Sequence, residues 1–117
     1  MKIKNLLIAG FMGVVVMGAA GAAWAEDVSM FIRHEVADYG AWRKVYDGFA
    51  PTQKKLGVVF KAVYQSTDDP NDVTVIHGFH SLEKAKAFAA SPKLKAAMEK
   101  AGVKGASQIW YTVDRTK

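Results

Sequence analysis

The hydrophobic period of this chain switches back and forth between two residues and about 3.6, and the order of those switches limits the folds open to it. Residues 28–36, "VSMFIRHEV", are rich in β-branched and aromatic side chains and read as a strand. Trp42, Val45, Tyr46, Phe49 and Leu56 then recur at helical spacing, with Asp38 placed to cap the helix and Gly57 to end it. Pro51 lies inside that helix, where its missing N–H and its ring predict a kink or a division near Ala50. Residues 58–67 and 72–80 read as two strands joined through Asp68, Asp69, Pro70 and Asn71, a hairpin. Ser81 caps a helix over "LEKAKAFAA", and Ser91–Pro92 restarts one through "KLKAAMEKAG", since proline suits a first helical turn. Residues 105–115 supply a last strand.

Ahead of this pattern stand Lys2 and Lys4 and then an uncharged stretch, "LLIAGFMGVVVMGAAGAAWA", that runs to Glu26. A basic end, an apolar core and the small residues Ala23 and Ala25 are the features of a secretory signal, and cleavage is expected after Ala25. The rival reading is an uncleaved anchor, since about 19 apolar residues can span a bilayer. Cleavage leaves one domain, residues 26–117, in a periplasmic or secreted location and with no membrane association. Taking Lys2 and Lys4 from the 16 basic residues leaves 14 against 11 acidic ones, a net charge of +3. Lysines 54, 55, 84, 86, 93, 95, 100 and 104 lack interleaved aromatics, so they read as a solvated face and no nucleic-acid partner is expected. The chain has no cysteine, so its stability must come from packing and not from disulfides.

The order β-α-β-β-α-β predicts an α+β fold of the ferredoxin-like kind, a four-stranded antiparallel sheet with helices on one face. The other face then needs a cover. A domain of this size buries a limited core, and a second copy of the sheet would supply the cover, giving a homodimer. Phe31, Val59, Val63, Ile76 and Trp110 are the residues expected on that face.

The stretches "RHEVADYGAWRKVYD", "DDPNDVTVIHGFHSLEKAKAFAASPKLKAAMEKAGV" and "IWYTVD" resemble the dimeric α/β-barrel superfamily, in particular proteins related to antibiotic biosynthesis monooxygenases and, within it, small bacterial proteins labelled "cyclase". The resemblance implies the fold, the homodimer and a ligand pocket between sheet and helices. It does not select a reaction, because the superfamily includes cofactor-free monooxygenases, haem-handling enzymes, isomerases and members with no known reaction. One departure is Gly78, where relatives often carry an acidic residue after the position of His77; a role resting on that carboxylate does not transfer.

The histidines are the candidate chemical groups. Side chains alternate across a strand, so His77 shares a face with Val73, Val75 and Phe79, whereas His80 faces the other way and stands at the strand end. His77 and His80 therefore cannot chelate one ion. On the first strand His34 falls in register with Val28, Met30 and Ile32, another apolar row. His34 and His77 are expected to line one side of the sheet as catalytic candidates, under a roof of Trp42, Tyr46 and Phe49 that would contact a small apolar or aromatic ligand. The bland alternative is a pair of half-buried histidines bonded to backbone, with the aromatic stripe as ordinary core.

No cofactor is expected. Two histidines lack a third ligand for zinc unless Asp38 or Glu35 lies near, and haem through one histidine is left open without a binding motif. No phosphate-binding or nucleophile-elbow motif occurs, and the aspartates of "DDPND" lack calcium-loop spacing. Three readings remain: a small monooxygenase- or cyclase-like enzyme, a periplasmic small-molecule or haem binding module, and a structural dimer with a vestigial pocket.

Overall fold

The computed structural model describes residues 26–116. The leader and its cleavage after Ala25 lie outside the described residues. The elements are β1 (Val28–Val36), α1 (Tyr39–Gly48), α2 (Ala50–Lys55), β2 (Phe60–Gln65), β3 (Asp72–Phe79), α3 (Leu82–Ala89), α4 (Pro92–Lys100) and β4 (Val103–Thr112). The strands form one antiparallel sheet in the order β2-β3-β1-β4. This is the expected ferredoxin-like α+β arrangement, with each of its two helical segments divided in two.

Both divisions have local causes. The Asp38 carboxylate accepts from the Ala41 N–H at 2.8 Å and starts α1. Pro51 falls in the first turn of α2, so the chain turns at Phe49 instead of carrying one helix through the proline. Ser81 accepts from the Lys84 N–H at 3.2 Å and Ser91 from the Lys93 N–H at 3.1 Å, capping α3 and α4 in turn. Gly57, at φ 101°, takes the left-handed turn that leads from α2 toward β2.

The core lies between the sheet and the helices. Met30, Ile32, Val73, Val75 and Phe79 rise from the sheet to meet Trp42, Tyr46, Phe88 and Leu94. On the opposite face Phe31 stacks on Trp110 with centroids 5.3 Å apart, and Phe60, Tyr64 and Trp110 are 58%, 56% and 42% exposed. Ile76 belongs to this open face, as expected. Val63 does not: it pairs with Val75, which places it on the helix side, where it packs against the core. Val59 precedes β2, so alternation within the strand does not place it, and its N–H donates to the Gly78 carbonyl at 2.9 Å. A shift of one residue in the alternation of β2 exchanges its two faces. Phe60 and Tyr64 take those places on the open face.

Gly78 lies on this face too, opposite Phe60. A Cβ there would meet the Phe60 Cβ at 3.0 Å, so the glycine lets the Phe60 side chain settle across the strand. A carboxylate at position 78 would project from the open face and not toward His77.

Candidate functional site

His34, His77, Trp42, Tyr46 and Phe49 all line one cavity under the helices, together with Ile32, Val45, Gln53, Val75 and the α4 residues Leu94, Ala97, Met98 and Ala101. The five residues expected from the sequence are therefore brought to one place. They do not converge on one atom. His77 pairs with Met30 and His34 with Val73, so the two imidazoles stand four residues apart along the sheet, roughly 13 Å at about 3.3 Å per residue. Ile32 and Val75 fill the interval.

Each histidine has one ring nitrogen engaged and one without a partner. His77 Nε2 lies 3.0 Å from the Tyr46 hydroxyl, and His34 Nδ1 lies 3.1 Å from Ser107 Oγ. His77 Nδ1 and His34 Nε2 are buried with no hydrogen bond. Burial, reinforced by the Lys61 charge, lowers the His77 pKa to about 4, so its ring is neutral at physiological pH. His34 is lowered by burial as well, and the Asp72 carboxylate partly opposes this. Burial pushes Tyr46 up to about 12, while a hydrogen bond from Gln53 and the Arg43 charge pull it partway back. At neutral pH the site is thus made of uncharged hydrogen-bonding groups in an apolar wall.

Three contributors were not anticipated from the sequence. Gln53 is buried, and its Oε1 accepts from Lys61 Nζ at 2.9 Å, which fixes the amide beside Tyr46. Its signal was present, since Trp42, Tyr46, Phe49 and Gln53 fall at successive helical intervals and a polar residue in an apolar stripe is conspicuous. Ser107 had no such signal. Between Arg33 and Glu35 the β1–β4 register shifts, and the extra β4 residues form a bulge that turns Ser107 to His34. Gly105, at φ 69°, makes the bend. The third contributor, the α4 row of Leu94, Ala97, Met98 and Ala101, follows the 3.6-residue period.

The carboxylates weighed as extra metal ligands lie elsewhere. Asp38 is held in the α1 cap, and Glu35 is on the open side of β1, exposed and paired across the sheet with Lys104. Among the described residues no three or more His, Cys, Asp or Glu side chains are grouped to hold a metal ion. His80 is exposed at the strand end and contacts Asp27 at 3.0 Å. Also among the described residues, no helix is long and apolar enough to cross a membrane.

The cavity as it stands has a volume of about 40 Å³. At about 10–15 Å³ for each water centre, that is room for a few waters and not for an aromatic ring system. The α4 side of the wall is made of short or flexible side chains, and the helix, Pro92–Lys100, is capped by Ser91 and followed by Gly102 at φ 81°. A larger occupant needs more space than the cavity has, so part of its wall must give way.

No protein-family model and no curated protein matches the chain. Solved structures match its fold. One is SnoaB from Streptomyces nogalater, described as a cofactor-independent oxygenase, at 17% identity and TM-score 0.65 over 78% of this chain and 95% of that one. A Bordetella bronchiseptica protein named with the antibiotic biosynthesis monooxygenases aligns at 10% identity and TM-score 0.68, over 76% and 97%. A Caulobacter crescentus protein named likewise aligns at 18% identity and TM-score 0.63, over 78% and 92%. The chain therefore has the fold of the antibiotic biosynthesis monooxygenase-like proteins; at these identities the likeness concerns fold.

Proposed function

We propose that the chain is exported, forms a homodimer sheet to sheet, and takes a small apolar or aromatic ligand beneath its helices, with cofactor-independent oxygenation as the reaction class to test first. The observation that carries the ligand reading is the pair of unpartnered nitrogens, His34 Nε2 and His77 Nδ1, on an otherwise apolar wall. A buried polar atom left without a hydrogen bond costs about 1–3 kcal/mol. A ligand with an apolar body and one hydroxyl or carbonyl would relieve that cost at His77 while its body lay against Trp42 and Phe49. With a pKa of about 4, His77 serves first as a neutral donor or acceptor. The oxygenase suggestion draws on SnoaB, whose described activity needs no cofactor.

The test is a tryptophan-fluorescence titration of the mature protein with 1-naphthol, beside oxygen consumption in air. Binding is expected in the parent and should be weakened in His77→Leu, with the melting temperature at neutral pH nearly unchanged. The small volume favours a second reading, in which the histidines are packed core groups and dimerisation is the whole role. Under that reading neither naphthol binding nor oxygen uptake would be seen, and His77→Leu would change nothing but stability.

The dimer is supported by the open face, where Phe31, Phe60, Tyr64, Ile76 and Trp110 leave apolar area in water that burial would stabilise by roughly 25 cal/mol per Å². Sedimentation at micromolar concentration should give a dimer, and Trp110→Asp a monomer. A monomeric parent would contradict the proposal. For export, intact-mass measurement should find a chain beginning at Glu26, and a mass that includes residues 1–25 would mean an anchor.

A further inference from the structure

Tyr46 joins a stack of aromatic rings to a buried proton acceptor. Tyr39, Trp42 and Tyr46 succeed one another on one face of α1, with centroids 5.8 and 4.9 Å apart and planes inclined by 30° and 20°. The stack begins at Tyr39, which is half-buried, and passes through Trp42, which is buried. It ends at the Tyr46 hydroxyl, 3.0 Å from His77 Nε2.

Tyrosine and tryptophan are the side chains most readily oxidised by one electron, and stacked rings within about 4.5–7 Å are in direct contact. A buried phenol nonetheless resists such oxidation unless its proton can leave, because an oxidised phenol is a far stronger acid than any imidazolium. His77 meets that need. Its ring is neutral, and with its proton on Nδ1 the Nε2 lone pair faces the phenol. The Arg43 guanidinium carbon lies 5.7 Å and the Lys61 ammonium 5.4 Å from the ring centroid, so an oxidised ring that kept its proton and its positive charge is disfavoured. Lys61 also makes His77 a weaker base, but the acidity of the oxidised phenol far exceeds that loss. Asp47 is bonded to Arg43, and Gln53 holds Lys61, so neither cation is free to approach the hydroxyl.

We propose that Tyr46 is a one-electron oxidation site, filled from the surface through Tyr39 and Trp42 and discharging its proton to His77. A one-electron oxidant of high potential at the surface takes an electron from the stack and is reduced. The vacancy passes to Trp42 and then to Tyr46. As the Tyr46 electron leaves, the O–H bond breaks and the proton crosses to His77 Nε2, giving a neutral tyrosyl and an imidazolium. A one-electron reductant reverses the step, and the proton returns. The site stands whether or not the cavity takes a ligand.

Flash photolysis of a ruthenium polypyridyl complex with an irreversible electron acceptor supplies the oxidant, and electron paramagnetic resonance of rapidly frozen samples identifies the radical. The parent should give a long-lived neutral tyrosyl. Tyr46→Phe should lose most of that signal and show a tryptophan radical in its place. Trp42→Phe should slow the formation of the tyrosyl, and His77→Leu should lower its yield. The Tyr64→Phe/Tyr111→Phe double variant should keep the signal, and adding Tyr39→Phe leaves Tyr46 as the single tyrosine and should keep the tyrosyl with slower formation, so the site remains testable if Tyr46→Phe fails to fold. An undiminished tyrosyl in Tyr46→Phe, or its disappearance in the double variant, would overturn the proposal.

Discussion

Replacing Trp42 by alanine should destabilise the domain by about 3–5 kcal/mol, the usual cost of removing a large buried aromatic. Trp42 is 3% exposed, stacks on both Tyr39 and Tyr46, meets His34 edge-on with centroids 6.0 Å apart, and walls the cavity. Its loss would remove the contacts of all three rings and join the space it vacates to a cavity that already exists, so little collapse can offset it. Domains of this kind have a total stability of about 5–15 kcal/mol, so the variant would lose a large part of it. Denaturant titration of parent and variant makes the comparison. Trp42→Phe should recover much of the loss. Indole should partly restore the alanine variant by binding only its folded state, raising its melting temperature with concentration. A cost below about 1 kcal/mol would mean that Trp42 does not support the core in the way its contacts indicate.

Trp42 also shows why much of the fold could be read in advance. Its place follows from helical spacing with Tyr46 and Phe49, and the same regularity located α1, the break at Pro51 and the restart at Ser91–Pro92. Each of those signals is local, a cap or a missing N–H, and depends on few residues. Strand neighbours in β1 and β3 were legible for a related reason: both strands are covered on one side by helices, so His34 and His77 each fall within an apolar row that a two-residue count recovers. The count failed on β2. That strand is at the sheet edge and its apolar residues fall on both faces, with Val63 under the helices and Phe60 and Tyr64 in the open, so hydrophobicity does not say which residue begins the alternation.

The site was legible only in its lining. His34, His77, Trp42, Tyr46 and Phe49 were found because apolar periodicity gathers them, but periodicity carries no information about distance along a strand or about partners. The separation of the histidines depends on the β1–β3 register. Ser107 reaches His34 through a bulge in β4, a feature of pairing between strands distant in sequence that leaves only Gly105 as a local trace. The small volume of the cavity depends on how α1 and α4 settle over the sheet, which is a property of the assembled core.

The second large effect concerns acid. Folding should become less favourable by about 3 kcal/mol as the pH is lowered through the range from about 6.5 to about 4, because of His77 alone. Its pKa is 6.5 in a solvated chain and about 4 in the folded one, lowered first by burial and then by the Lys61 charge. Above the unfolded value neither state binds the proton and the folded state keeps its full stability. Between the two values the unfolded chain takes up a proton that the folded chain refuses, and stability falls. Below the folded value both are protonated and the loss from this group levels off. His34 is shifted in the same direction by the same cause and adds to the loss. In His77→Leu the unfolded chain has no such proton to gain. The apolar side chain removes the unpaired Nδ1 but also takes away the partner of the Tyr46 hydroxyl, two opposed effects of similar size, so stability near neutral pH should stay close to that of the parent. Relative to the parent it should then gain as the pH falls toward 4. Denaturation midpoints at a series of pH values for both proteins test this, and parallel curves would show that His77 is as readily protonated in the fold as in water.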